Sequence, residues 1–151
     1  MEMKTLRLAG VMRESIVDGP GIRMTVFGQG CPHHCKGCHN PETHDFNGGK
    51  DVSIYRILEE IDKNPLLAGV TFSGGEPFCQ AEAFAALSAE LKKQGYEICA
   101  FTGYLFEELI EDTADAKYKL LENVDILIDG PFIESEKSLE LRFKGSRNQR
   151  T

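Results

Sequence analysis

Four short apolar runs, each broken at once by a loop of unusual composition, constrain this chain more than any other feature of its sequence. IRMTVFG (22–28) runs into a cysteine-bearing loop, and GVTFS (69–73) into Gly74-Gly75-Glu76-Pro77. YEICAF (96–101) leads to Thr102-Gly103-Tyr104, and VDILI (124–128) to Asp129-Gly130-Pro131-Phe132. Helical periods separate the runs. Ile54, Ile57, Leu58 and Ile61 share one face before Asn64-Pro65 stops the helix, and Phe84, Leu87 and Leu91 do so before Gly95. A third helical stretch, 105–123, carries a break near Asp112-Thr113, and LELRF (139–143) alternates as an edge strand does.

Short apolar strands alternating with helices predict an α/β fold, with a mainly parallel sheet covered by helices. Parallel strands bring their C-terminal ends to one edge, where such sheets bind ligands. The four loops therefore predict one site on one face. About four to five βα units, short of a closed eight-stranded barrel, predict a partial, open (β/α) barrel. A length of 151 residues suits a single domain, 1–151, with its own core.

A hydrophobic content of 41% and a charged content of 27% are ordinary for a soluble protein. No apolar run has the length of a membrane span and no export leader is legible, so a cytoplasmic location without a membrane partner is expected. The net charge of −7 argues against nonspecific nucleic-acid binding. The tail RFKGSRNQR (142–150) is a local exception, with Arg142, Lys144, Arg147 and Arg150. It reads either as a solvated basic end or as a site for an anion or an acidic partner surface.

Five cysteines, three of them bunched, fit a metal site better than a disulfide framework. The bunch is Cys31-x3-Cys35-x2-Cys38. A structural zinc site wants four protein ligands, usually two separated pairs, and the second pair is missing here. Cys79 and Cys99 stand alone and read as small core residues. A Cys3His zinc site using His33, His34, His39 or His44 stays open. An iron–sulfur cluster is the other reading. Held by three thiolates, a cubane keeps one iron free for a small molecule, and Gly28, Gly30 and Gly37 let the backbone wrap closely.

Taken together, the cysteine motif and the downstream Gly74-Gly75-Glu76-Pro77 resemble those of the radical S-adenosylmethionine enzymes. SIVDGPGIR (15–23), CHNPET (38–43), TGY (102–104), DGPF (129–132) and the basic tail narrow the resemblance to the small activases of glycyl-radical enzymes. Among these it is nearest to the branch that serves anaerobic ribonucleoside-triphosphate reductase, and it extends over about residues 15–150.

That resemblance implies a [4Fe-4S] cluster on Cys31, Cys35 and Cys38, with S-adenosyl-L-methionine on the free iron. It places the methionine amino end at Gly74, Gly75 and Glu76, by backbone and carboxylate, and the adenine near Gly37 and His39, with Cys38 between them also cofactor-binding. Thr102 and Asp129 are expected as further cofactor contacts. The implied activity is reductive cleavage to methionine and a 5′-deoxyadenosyl radical, which takes a hydrogen atom from a glycine of the reductase. A flavodoxin or ferredoxin-like donor is implied, a homodimer is left open, and no side-chain acid, base or nucleophile is required.

Two other classes stay open: a radical enzyme acting on another glycyl-radical protein or a small heterocyclic substrate, and a zinc-binding adaptor. Taken singly, DGPG is a turn sequence and Asp129 a cap. His33, His34 and His44 read as polar loop residues, leaving His39, suited to stack on adenine, as the one histidine with a role.

Overall fold

The computed structural model describes residues 5–15, 19–31, 33, 47–111, 115–131, 133, 135, 146 and 148–151. Its strands are β1 (Thr5–Ser15), β2 (Arg23–Gly28), β3 (Lys50–Ser53), β4 (Gly69–Gly74), β5 (Glu97–Phe101) and β6 (Ile126–Ile128). Its helices are α1 (Ile54–Asp62), α2 (Ala81–Lys93), α3 (Phe106–Leu109) and α4 (Ala116–Glu122), with a 3-10 turn at Pro77–Gln80. The strands form one sheet in the order β3-β1-β2-β4-β5-β6. β2, β4, β5 and β6 are parallel neighbours, while β1 runs antiparallel to β2 and β3. The α/β class, the mainly parallel sheet and all four expected strands are present.

Two strands were not expected from the sequence. β1 is exposed from Ala9 to Glu14 and shifts register between Leu8 and Gly10 and between Met12 and Ser15, so it shows no clean alternation. β3 is short and polar, and only its pairing with Thr5 to Leu8 makes it a strand. β6 begins two residues later than VDILI implied, because Val124 still donates to the Leu121 carbonyl of the preceding turn. The third helical stretch divides as its break suggested, into α3 and into α4, which Asp115 caps by accepting from Lys117 N at 2.8 Å. LELRF lies outside the described residues.

One face of the parallel strands is apolar. Met24, Val26, Val70, Phe72, Ile98 and Ala100 are buried there with Phe84, Leu87 and Leu91 of α2, which packs between α1 and α4. The Phe72 and Phe84 rings lie 4.6 Å apart.

The alternating positions Arg23, Thr25, Thr71 and Cys99 are also buried. Arg23 lies at the N-terminal ends of the parallel strands, 0% exposed. Its guanidinium donates to Thr71 Oγ1 (2.8 Å), the Pro20 (2.9 Å), Val70 (3.2 Å) and Glu97 (2.9 Å) carbonyls, and Glu97 Oε1 (2.8 Å). Arg23, part of the DGPGIR motif, thus ties β2, β4 and β5 together on the edge opposite the predicted site.

Candidate functional site

The C-terminal ends of the four parallel strands meet, and their loops are hydrogen-bonded to one another. Gly75 N donates to Gly28 O and Glu76 N to Gly30 O, both at 2.8 Å, joining the loops after β2 and β4. Thr102 N donates to Ile128 O (3.0 Å) and Gly130 N to Tyr104 O (2.9 Å), joining those after β5 and β6. Gly74 has φ +93°, and a Cβ there would stand 2.7 Å from the Gly28 backbone. The first glycine of the GGEP motif is therefore required by the close approach of two strand ends.

Glu76 is the hub of this edge. It is 1% exposed, and its carboxylate accepts from Phe78 N (3.1 Å), Thr102 Oγ1 (2.8 Å), Gly103 N (2.7 Å) and His33 Nε2 (2.7 Å). A carboxylate offers about four acceptor positions, and protein donors fill them here. Glu76 therefore locks the loops after β2, β4 and β5 together. The amino end of a ligand would find its remaining acceptors among main-chain carbonyls.

His33 is not a bystander. Besides its bond to Glu76, its ring stands edge-on to Tyr104 with centroids 4.7 Å apart. A Cβ on Gly103 would meet that ring at 2.4 Å, so the glycine of TGY makes room for it. The order CxHxC was the available signal, but its partner is 43 residues away and no local rule joins the two.

Cys31 is buried at the end of β2, beside the Gly30–Glu76 bond. Cys35, Gly37, Cys38 and His39 lie outside the described residues, as do His34 and His44. The far end of the cysteine loop is described, and sequence reading missed what holds it. Arg7 of β1 donates through Nε to Gly48 O (2.7 Å) and through Nη2 to Asn47 O (3.1 Å), and pairs with Asp51 at 3.2 Å. The Gln80 side chain holds the Arg7 main chain from the other side, accepting its N–H at 2.7 Å and donating to its carbonyl at 2.8 Å. Both ends of the loop are thus moored to the sheet.

Cys99 is fully buried, as expected, but Cys79 is exposed, with Sγ 3.8 Å from the Tyr104 hydroxyl. It follows Phe78 in the 3-10 turn, which buries Pro77 and Phe78 and turns the next side chain outward. Desolvation, with the Glu76 charge adding, raises the Cys79 thiol and outweighs Tyr104 and Lys117, so it stays protonated near neutral pH. Desolvation first, then Cys79 and the charges of Glu76 and Glu108, pushes the Tyr104 phenol far above its ordinary range.

Asp129 is 3% exposed and engaged within the protein. It accepts from Phe106 N (2.7 Å), starting α3, and from Arg150 Nε (3.1 Å), while the two main chains form a bridge. Arg150 also holds Glu107 at 2.7 and 2.8 Å. Arg150 is therefore neither a free solvated cation nor an open anion site; Arg142, Lys144 and Arg147 lie outside the described residues.

For Asp129, burial raises the carboxyl, but the bonds from Arg150 and Phe106 outweigh it and the net shift is downward. Glu107 is lowered to about 2, chiefly by Arg150. Depressed carboxyls stabilise the fold fully above their unfolded pKa of about 4, and that contribution fades as pH falls through the folded values. Urea unfolding between pH 5 and pH 2 will show wild-type stability falling with acid. Arg150→Met will flatten that slope.

The donor set fits an iron–sulfur cluster: three thiolates in one loop, the first buried at a strand end and the loop moored on both sides. Residues 17–151 match the family model described as a 4Fe-4S single cluster domain, and the chain belongs to that family. Over 142 residues it is 33% identical to the anaerobic ribonucleoside-triphosphate reductase-activating protein of Vibrio cholerae and 32% identical to that of Haemophilus influenzae, covering 89% of each chain. It is 37% identical over 116 residues to the pyruvate formate-lyase-activating enzyme of Clostridium pasteurianum, covering 71% of this chain and 49% of that one. The resemblance to glycyl-radical activases read from the motifs is borne out.

Among solved structures, the fold is similar to that of QueE from Escherichia coli, with TM-score 0.51 and 18% identity. That match covers 66% of this chain and about half, 52%, of the other. Among the described residues, no helix is long and apolar enough to cross a membrane.

Proposed function

We propose that the protein is the activase of an anaerobic ribonucleoside-triphosphate reductase. The observation that carries this reading is the Glu76 hub, which binds the first part of the cysteine loop to the GGEP and TGY loops at one sheet edge. Bound there, a [4Fe-4S] cluster and S-adenosyl-L-methionine supply a 5′-deoxyadenosyl radical that takes hydrogen from a glycine of the reductase.

Cys31, Cys35 and Cys38 hold the cluster. The carbonyls of Gly74 and Gly75 receive the methionine ammonium, and Glu76 holds those carbonyls in place. Gly37, Cys38 and His39 flank the adenine. Thr102 and Asp129 border the cofactor; their engaged side chains make fixing the loops their main contribution. A single domain, 1–151, whose sheet curls into a partial, open barrel, leaves that edge accessible to a glycine-bearing loop of a large partner. A flavodoxin or ferredoxin-like protein delivers the electron in the cytoplasm, and self-association into a homodimer is compatible with this reading.

The test is electron paramagnetic resonance on the anaerobically reconstituted protein with a reductant, S-adenosylmethionine and the reductase. A glycyl-radical doublet on the reductase is expected. Cleavage of S-adenosylmethionine without that signal would overturn the assignment of the partner. Zinc in place of iron after anaerobic purification would overturn the chemistry.

A further inference from the structure

We infer that His33 is a positioning residue, a latch that sets the cysteine loop against the cofactor loops by donating from Nε2 to Glu76. The inference rests on the function proposed above and deepens it: that reading uses the His33–Glu76 bond to mark the site, and here the bond is given a role in holding the cofactor. In sequence His33 lies between Cys31 and Cys35, so its bond to Glu76 fixes a point of the chain between the first two thiolates.

Three contacts fix it. Nε2 stands 2.7 Å from Glu76 Oε1, the ring meets Tyr104 edge-on, and its Cδ2–Nε2 edge lies against Gly103 in the space that a Cβ there would take. A carboxylate only accepts, so Nε2 carries the hydrogen. The side chain is 17% exposed and Glu76 is 0% exposed, which shields the bond from water.

The bond joins two parts that must agree in position. The cysteine loop sets where the open iron points, and Gly74 and Gly75 set where the methionine ammonium ends. Glu76, which follows those glycines, reaches the cysteine loop twice, by its main chain to Gly30 and by its side chain to His33. Without the latch, the thiolates can still assemble a cluster, but its open iron and the ammonium acceptors are no longer held in register.

The experiment uses the full chain carrying His33→Leu, His33→Gln and Gly103→Ala. Leucine keeps apolar packing on Tyr104 without a donor; glutamine restores a donor; the Cβ of Gly103→Ala displaces the ring with His33 intact. Cluster-loaded protein is followed by electron paramagnetic resonance of the reduced cluster with and without S-adenosylmethionine, and by the affinity for it. Apo protein is followed by hydrogen exchange of peptides covering 29–35 and 102–104.

His33→Leu and Gly103→Ala are expected to bind S-adenosylmethionine about tenfold more weakly, to alter its effect on the cluster spectrum and to speed exchange in both peptides. His33→Gln should recover part of each. Wild-type spectra, affinity and exchange in His33→Leu would overturn the latch while leaving the activase reading intact. A wild-type protein that binds no cluster would remove that reading first.

Discussion

Glu76→Gln, the smallest change available at the hub, will lower stability by about 1–3 kcal/mol and loosen the cofactor edge. The substitution keeps size and removes charge, yet it is not conservative here. The carboxylate takes four donors from three loops: Phe78 N, Thr102 Oγ1, Gly103 N and His33 Nε2. An amide has one oxygen and one NH2, and the Thr102 hydroxyl and the His33 ring can turn to accept from that NH2. Phe78 N and Gly103 N lie on different oxygens, so whichever way the amide turns one main-chain N–H faces its NH2. That one donor, buried without an acceptor, costs about 1–3 kcal/mol. Urea denaturation of the apo protein will read the loss as a lower midpoint at unchanged slope. Weaker S-adenosylmethionine binding in the loaded protein will accompany it. A Glu76→Gln variant with wild-type midpoint and affinity would show that the hub is dispensable.

Arg23→Met will cost about 3–5 kcal/mol. Methionine fills much of the same volume, so the cost is chiefly polar. The Thr71 hydroxyl and the Pro20, Val70 and Glu97 carbonyls all lose a donor at a 0% exposed position. Glu97 is 44% exposed, so its carboxylate can turn to water and adds little to the loss. Arg23→Lys will recover only part of the stability, because three donors on a point charge cannot reach around the fork that five guanidinium hydrogens fill. Thermal unfolding of both variants checks the order: wild type above lysine above methionine. The site lies on the opposite strand edge, so variants that fold at low temperature should still bind the cluster.

The four parallel strands were legible because each is short, apolar and bounded by turn residues, and α1 and α2 because their apolar residues keep helical spacing to a clear stop. β1 escaped notice because its exposed half and register shifts erase alternation, and with it went Arg7, the mooring of the cysteine loop. The site was legible as motifs. Its wiring was not. Glu76 was legible as a motif residue, but not the four protein donors that its carboxylate meets in the fold. Cys79 looked like core, yet the 3-10 turn presents it to solvent.

The α/β class, the clustering of four loops at one sheet edge and the family follow from the residues alone, since spacing, periodicity and motif order are local properties of a chain. Which side chains satisfy one another is settled by the fold. The bonds from His33 to Glu76, Gln80 to Arg7 and Arg150 to Asp129 join residues 43, 73 and 21 positions apart. Burial is the physical reason: a polar group removed from water must find its partner wherever the fold brings one, and sequence distance does not enter that requirement.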